Sequence, residues 1–327
     1  MFYHLICPNI GCINVKHLMK KIGILNGIEN TFPQALIKKI NTIAPNDIRA
    51  EAVFVEEILL DEPLDYQVII DRISQDILFY RTWLKQMALN GTAVLNNPLW
   101  WSADDKYTNV VIAKKIGIPV PKTALLPSKQ MPSNTSPNTF RNLKFPLDWD
   151  KMIRHVGGFP LYLKQYHGGG WQHVYRIEDK KELFDTYDKT GLLVMMMQEN
   201  IVFDAYFRCY SIGAERVHIM PYAPENEHAM RYAAYYDVSQ ALLDTMEEYV
   251  IRLNKALGYD VNTVEFAIRD GIPYAIDFFN PAPDADLNSV GRNNFNWVVE
   301  NLAEYAIERA QAHKTNQLNI TWGAAIR

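Results

Sequence analysis

Residues 261–280, Val-Asn-Thr-Val-Glu-Phe-Ala-Ile-Arg-Asp-Gly-Ile-Pro-Tyr-Ala-Ile-Asp-Phe-Phe-Asn, constrain this chain more than any other stretch. They read as two strands with one carboxylate on each. Asp270-Gly271-Ile272 has the composition of a three-residue hairpin loop, with its glycine near the position that needs a positive φ. Folding about Gly271 sets Glu265 opposite Asp277, since 271 − 265 = 277 − 271 = 6. Opposed residues on one sheet face have Cβ atoms roughly 4.5–5.5 Å apart, so two carboxylates there repel unless something positive sits between them. A divalent cation is the simplest such partner. An oxygen-only donor set, with Asn280 nearby as a neutral member, favours magnesium over zinc or copper. The alternative is a solvated hairpin whose acids point at water. Against it, Val264, Phe266, Ile268, Tyr274, Ile276 and Phe278 alternate with the acid-bearing positions and commit one face to a core. The exit Asn280-Pro281-Ala-Pro283-Asp-Ala-Asp286 is stiffened by proline and carries further oxygen donors.

Upstream, residues 1–97 alternate between strand-like and helix-like patterns. Strands are expected at 2–7, 52–60, 66–70 and 92–95, and helices at 15–25, 33–43 and 77–89. Such βαβ alternation argues for a parallel α/β sheet, whose ligands bind at the carboxyl ends of strands. That rule points to Arg72 and Ser74, just past the strand at 66–70, as substrate-binding candidates, because a guanidinium matches a carboxylate bidentately. A buried arginine paired with Asp71 or Asp76 is the competing reading.

A helix opens at Ser102-Ala-Asp-Asp-Lys and runs to Lys115, with Gly117, Pro119 and Pro121 ending it. Lys106 sits in its first turn, where a cation opposes the helix dipole unless an anion compensates. Residues 124–147, rich in Pro, Ser, Asn and Thr, read as a mobile insertion or lid. A strand at 160–164 then delivers Lys164 to Gln-Tyr-His-Gly168-Gly169-Gly170-Trp171, and another strand begins near Val174. Three glycines let backbone amides approach phosphates, although the ending of a Walker motif is missing. The apolar run 192–197 reads as a buried strand ending in Gln198-Glu199-Asn200-Ile201, where polar backbone can meet a flat base. Arg208 lies among apolar neighbours in a strand at 207–213 and needs a partner or an anion, and Arg231 follows in a loop-like stretch. Leu242, Met246, Tyr249, Val250, Leu253 and Leu257 trace one helix face ending at Gly258, and 295–310 is a second amphipathic helix. Trp100, Trp101, Trp171 and Tyr166 around these segments point to an apolar or flat substrate. No Ser/His/Asp or Cys/His arrangement for nucleophilic catalysis emerges.

Charge and composition narrow the field. A net charge of −4 gives no footprint for nucleic acid or an anionic membrane. Cys7, Cys12 and Cys209 are too few for a disulfide framework or a four-ligand zinc site, and no apolar run approaches 18 residues. A cytoplasmic protein is the expectation.

Taken in order, Asp105-Lys106, Ile-Pro119-Val-Pro121-Lys-Thr123, Lys164 with its Gly168–Gly170 loop, Gln198-Glu199-Asn200-Ile201, Arg208, and two acids twelve residues apart resemble the ATP-grasp superfamily. Within it, the likeness is to the branch containing glutathione synthetase and the ribosomal-protein glutamate ligases, and it extends from about Tyr66 to Asp286. The resemblance implies a mixed α/β and α+β fold in three domains. These are an N-terminal parallel-sheet pre-ATP-grasp domain at 1–97, a central ATP-grasp subdomain at 98–197, and a C-terminal subdomain at 198–327 carrying the metal site. It further implies that Lys106, Lys164 and Gly168, Gly169 and Gly170 contact ATP phosphates, that Gln198, Glu199, Asn200 and Ile201 receive adenine, and that Arg208 or Arg231 meets the transferred phosphoryl group. Glu265, Asp277 and Asn280 inherit two magnesium ions. The implied activity is an ATP-dependent carboxylate–amine ligase that joins a small-molecule or peptide acid to an amine through an acylphosphate, in a protein that is commonly a homodimer. One departure stands out. The family's final motif is acid-x-Asn, whereas Asp277 is followed by Phe278-Phe279-Asn280, so Asn280 reaches the metal only through a bulge or turn, with Asp284 or Asp286 as substitutes. That extra residue is the best support for a different class, a nucleotide-binding module that ligates nothing.

Overall fold

The computed structural model describes residues 19–60, 65–100 and 105–326. The expected strand at 2–7 and the helix opening at Ser102 lie outside the described residues. Strands β1 (Lys20–Leu25), β2 (Ile48–Ala52), β3 (Val68–Asp71) and β4 (Ala93–Leu95) form a parallel sheet ordered β2-β1-β3-β4. Ile22, Ile24, Val68, Ile70 and Leu95 pack with Leu36 and Ile40 of helix α1 (Phe32–Ile43), while Leu25, Ile69 and Val94 pack with Leu84 and Met87 of α2 (Leu78–Leu89). With both faces covered, such strands become unbroken apolar runs. For that reason the stretch 15–25, which reads as helical, is a strand from Lys20 onward, and Val15 to Leu18 lie outside the described residues. The run 52–60 is not a strand either. The edge strand β2 ends at Ala52, alternating buried Ile48 and Ala50 with the more exposed Arg49 and Glu51, and Phe54, Leu59 and Leu60 are left exposed.

After α3 (Lys106–Lys115), strands β5 (Thr123–Leu126), β6 (Leu161–Gln165), β7 (Val174–Ile177) and β8 (Met195–Glu199) make an antiparallel sheet ordered β5-β8-β6-β7. Leu126, Leu161, Leu163, Ile177, Met195 and Met197 bury one face beneath Ile153 of α4 (Trp149–His155) and Leu183 of α5 (Lys180–Tyr187). The expected insertion at 124–147 therefore begins with a strand. Its remainder is irregular apart from a 3-10 turn at Pro137–Phe140, and it is tied to the 187–191 segment by Gln130 N donating to Gly191 O at 2.9 Å and Tyr187 Oη donating to Pro127 O at 2.7 Å.

The third sheet, β9 (Ala205–Ile212), β10 (Arg216–Pro221), β11 (Val261–Arg269) and β12 (Ile272–Asp277), is antiparallel and ordered β10-β9-β11-β12. Phe207, Cys209, Val264, Phe266, Ile268 and Ala275 turn one face onto α6 (Gln240–Leu257) and α3. Helix α6 stops at Gly258, whose φ of +75° places it in the left-handed region. A long helix, α8 (Arg292–Ala312), preceded by the short α7 (Leu287–Val290), packs between the first and third sheets. Val298, Leu302 and Ala306 share a core with Ile22 and Val68 on one side and Tyr210, Ile212 and Val261 on the other.

The hairpin departs from its expected form in one respect. Arg269 pairs with Ile272, so the turn is the two residues Asp270 and Gly271, at φ +54° and +73°, rather than three. A two-residue turn alone would set Glu265 against Ile276. Between Phe266↔Ala275 and Glu265↔Asp277 the register slips, making Ile276 a bulge that restores the acid pair. The bulge also changes sides. Tyr274 and Ile276 pack with Tyr206 and Ala267 on the acid-bearing face, so the core face of β12 is Ala275 and then Phe278 rather than Tyr274 and Ile276.

Candidate active site

A cavity of about 470 Å³ is lined by Tyr162, Lys164, Gln198 and Glu199 of the second sheet and by Tyr206, Arg208, Glu265, Ala267, Ile276 and Asp277 of the third. Strand alternation decides who faces it. On β6, Leu161 and Leu163 enter the core, so Tyr162 and Lys164 turn to the opening. On β9, β11 and β12 the pairings Arg208↔Glu265 and Glu265↔Asp277 align a cation and two carboxylates in one row across the sheet.

The row is under-neutralised. Arg208 Nε lies 3.7 Å from Glu265 Oε1, and the guanidinium also donates to Thr263 Oγ1 at 3.3–3.4 Å and Tyr232 Oη at 3.2 Å. Burial works against the Arg208 charge, but Tyr232 and Glu265 hold its pKa above the ordinary value. Burial pushes the Glu265 carboxyl up, Asp277 adds to that, and Arg208 opposes it. Lys106 is held in the first turn of α3, which Asp105 caps by accepting from Thr108 N at 2.8 Å. Its Nζ lies 3.8 Å from Asp277 Oδ2 and 4.9 Å from the centre of the Phe279 ring. The other oxygen, Asp277 Oδ1, is buried without a hydrogen-bond partner among the described residues. Lys164 is 7% exposed, and its pKa is lowered to about 8 by burial first and by Lys106 second, against the pull of Asp277 and Glu265. Two lysines and two carboxylates thus crowd one buried space.

The glycine loop frames the opening. Gly168, Gly170, Trp171 and His173 all have positive φ, at +85°, +66°, +60° and +52°. Gly169, Gly170, Trp171 and Gln172 line the cavity; Gly168 does not, and a Cβ there would sit 2.6 Å from Gln165 Nε2. Gln198, Glu199 and Ile201 line it as well, and Asn200 does not. The Glu199 side chain is already committed, accepting from Arg269 Nη1 at 2.9 Å and Lys122 N at 3.1 Å, and its own amide donates to Lys122 O at 2.9 Å.

Asn280 reaches the cavity in spite of the extra residue. Phe278 and Phe279 both turn into the core, at 1% and 7% exposed, and the chain swings back so that Asn280 N donates to Asn262 Oδ1 at 2.7 Å. Asn280 Nδ2 donates to Thr263 O at 3.3 Å, so the amide oxygen is what it offers a ligand. Of the two substitutes, Asp284 lines the cavity, whereas Asp286 accepts from Thr31 Oγ1 at 2.7 Å. Among the described residues no three His, Cys, Asp or Glu side chains gather as a metal cluster. The donors on offer are two carboxylates and an amide, one carboxylate oxygen being unpartnered, and this fits a hard cation that completes its shell with water and substrate phosphate.

Some candidates fall elsewhere. Arg72 is buried on Glu29, with Nε donating to Oε2 at 3.0 Å and Nη2 to Pro283 O at 2.7 Å, and Ser74 donates to the Asp71 carboxylate. Neither lines the cavity, and the carboxylate that pairs with Arg72 is Glu29, from the β1–α1 loop, rather than Asp71 or Asp76. Tyr166, His167, Trp100 and the insertion after β5 do not line it, and Trp101 lies outside the described residues. Arg231 does line it, with Nε donating to Asn226 O at 3.1 Å. Tyr162 and Tyr206 were not anticipated, although a signal existed: each stands two residues before a named cation, Lys164 or Arg208, on the same strand face. Tyr222, just past β10, and Tyr232, in a 3-10 turn at His228–Ala233, flank Arg208 and had none.

No protein-family model matches the sequence, and no curated protein does. Solved structures do. D-alanine–D-alanine ligase from Bacillus anthracis complexed with ATP superposes with a TM-score of 0.62 at 18% identity, covering 89% of this chain and 97% of its own. A RimK domain ATP-grasp protein from Sphaerobacter thermophilus gives 0.64 at 16%, covering 88% and 99%. Macrocyclase MdnC from Microcystis aeruginosa, bound with precursor peptide MdnA, gives 0.57 at 14%, covering 88% and 99%. The chain has the ATP-grasp fold.

Proposed function

We propose that this ATP-grasp chain is an ATP-dependent carboxylate–amine ligase working through an acylphosphate. The observation that carries the reading is the pair of buried lysines, Lys106 and Lys164, facing the Glu265–Asp277 pair in one cavity with an unpartnered carboxylate oxygen. Buried like charges are costly unless a ligand completes them, and a triphosphate with a divalent cation supplies the opposite sign to each set.

In this reading Lys106 and Lys164 neutralise phosphate oxygens, the amides of Gly169 and Gly170 close over them, and the chain at Gln198, Glu199 and Ile201 receives the base. Glu265, Asp277 and Asn280 would hold magnesium, which when bound offsets charge on the β- and γ-phosphates. Arg208, in the row with both acids, stabilises the phosphoryl group in flight. A substrate carboxylate oxygen attacks the γ-phosphorus, the bond to the β-phosphate oxygen breaks, and ADP leaves. The amine nitrogen then attacks the acyl carbon, phosphate departs, and the amine loses a proton. No protein nucleophile is needed. Arg231, Tyr222 and Tyr232, which line the same cavity, would face the acid substrate. Asn280 lines the cavity despite its extra residue of spacing, which supports the ligating reading over the non-ligating module.

The test is ADP release by purified protein against panels of small acids, peptides and amines. Release that requires both an acid and an amine supports the ligase. Nucleotide binding with no acid- and amine-dependent release from any panel contradicts it.

A further inference from the structure

We propose that Tyr206 is a positioning residue for the metal-binding carboxylate, its hydroxyl fixing Glu265 in the orientation in which a divalent cation is held. This deepens the reading above and rests on Glu265 being a metal ligand.

Tyr206 is buried, and its hydroxyl donates to Glu265 Oε2 at 2.7 Å. The two are diagonal neighbours on adjacent strands, since Tyr206 pairs with Ala267 and Arg208 with Glu265. The Tyr206 ring has little freedom. Phe203 meets it at 5.1 Å in an edge-to-face contact, Tyr222 at 6.1 Å, and the Tyr222 amide donates to Tyr206 O at 2.9 Å. Among the described residues this hydroxyl gives the Glu265 side chain its one hydrogen bond, because Arg208 Nε, at 3.7 Å, stands beyond hydrogen-bond range.

The chemistry of the donor matters. A lysine or arginine in that position would orient the carboxylate but also neutralise it and compete with the cation. A phenol orients it through a neutral donor and leaves the negative charge available. Outer hydrogen bonds of this kind fix the geometry of metal ligands, and losing one typically weakens metal affinity about 10–100-fold. Tyr206→Phe removes a single oxygen and keeps the packed ring.

The experiment is titration of Mn²⁺ followed by electron paramagnetic resonance, with a non-hydrolysable ATP analogue present, on wild type, Tyr206→Phe, Glu265→Gln and the double variant. Tyr236→Phe serves as a control that loses a tyrosine hydroxyl outside the cavity. Tyr206→Phe should weaken Mn²⁺ about 10-fold or more while metal-free analogue affinity and melting temperature stay near wild type. In the Glu265→Gln background the same change should alter Mn²⁺ affinity less than about twofold, the cycle isolating the pair. Wild-type Mn²⁺ affinity in Tyr206→Phe, or an undiminished loss in the Glu265→Gln background, overturns the proposal while leaving the metal site standing. A wild type that takes up no Mn²⁺ beside bound analogue overturns the metal reading itself and the proposal with it. Should Tyr206→Phe fail to fold, Glu265→Asp retracts the carboxylate from an intact hydroxyl and should show the same loss; unchanged affinity there equally overturns the proposal.

Discussion

Arg72 and Lys164 are both buried cations near the carboxyl ends of strands, and they differ in what faces them. Arg72 sits against the Glu29 carboxylate, the Pro283 carbonyl and the Phe32 ring, whose centre is 4.9 Å away. Its pKa stays above the ordinary arginine value, with Glu29 outweighing burial. The Lys164 ammonium, equally removed from water, has its pKa lowered to about 8 by burial first and by the facing Lys106 second, and Asp277 and Glu265 only partly offset the two. A buried charge with its partners built in belongs to the fold. One held beside its own sign is what the proposed nucleotide site would complete.

The contrast can be broken or sharpened by substitution. Arg72→Met should cost about 3 kcal/mol of stability, read by urea unfolding, because it strands Glu29 and the Pro283 carbonyl. The protein that remains folded should bind ATP analogue as the wild type does. Lys164→Met should do the reverse, weakening analogue about 10–100-fold by calorimetry while leaving the free protein as stable or more stable by ~1–3 kcal/mol.

The effect of pH is smaller and has a definite sign. Lys164 loses its proton as pH rises through about 8, so analogue affinity should fall by up to about 10-fold between pH 7 and pH 9, and Lys164→Met should remove that dependence. Because its folded pKa lies below the unfolded value of 10.5, the unfolded chain binds the extra proton between 8 and 10.5, and Lys164 contributes rising stability of the free protein across that window. The smallest effect is expected at Arg269→Ala. That change frees Glu199 from a partly exposed pair and should cost about 1 kcal/mol with little change in binding.

Much of this was legible in the sequence because it depended on local pattern. Period-two alternation and one Asp-Gly turn were enough to oppose Glu265 and Asp277, even though a tight turn plus a bulge at Ile276 achieves the pairing in place of a longer loop. Apolar runs located β6 and β8, and so the faces of Lys164 and Gln198. What escaped depended on distant chain. Arg72 alone cannot reveal a partner 43 residues away in Glu29 and another 211 away in Pro283. Strand β1 was hidden because burial on both faces erases the alternation that distinguishes a strand from a helix. Tyr222 and Tyr232, which flank Arg208, come from the chain after β10, and only the tertiary fold brings them there.

The most direct test of the claim that these incomplete charges form a nucleotide site is calorimetric titration of the ATP analogue, with and without magnesium, into wild type and Glu265→Ala/Asp277→Ala. Binding that magnesium strengthens in the wild type and that the double variant loses is the predicted result. A wild type that binds no analogue, or a double variant that keeps the magnesium dependence, would contradict it.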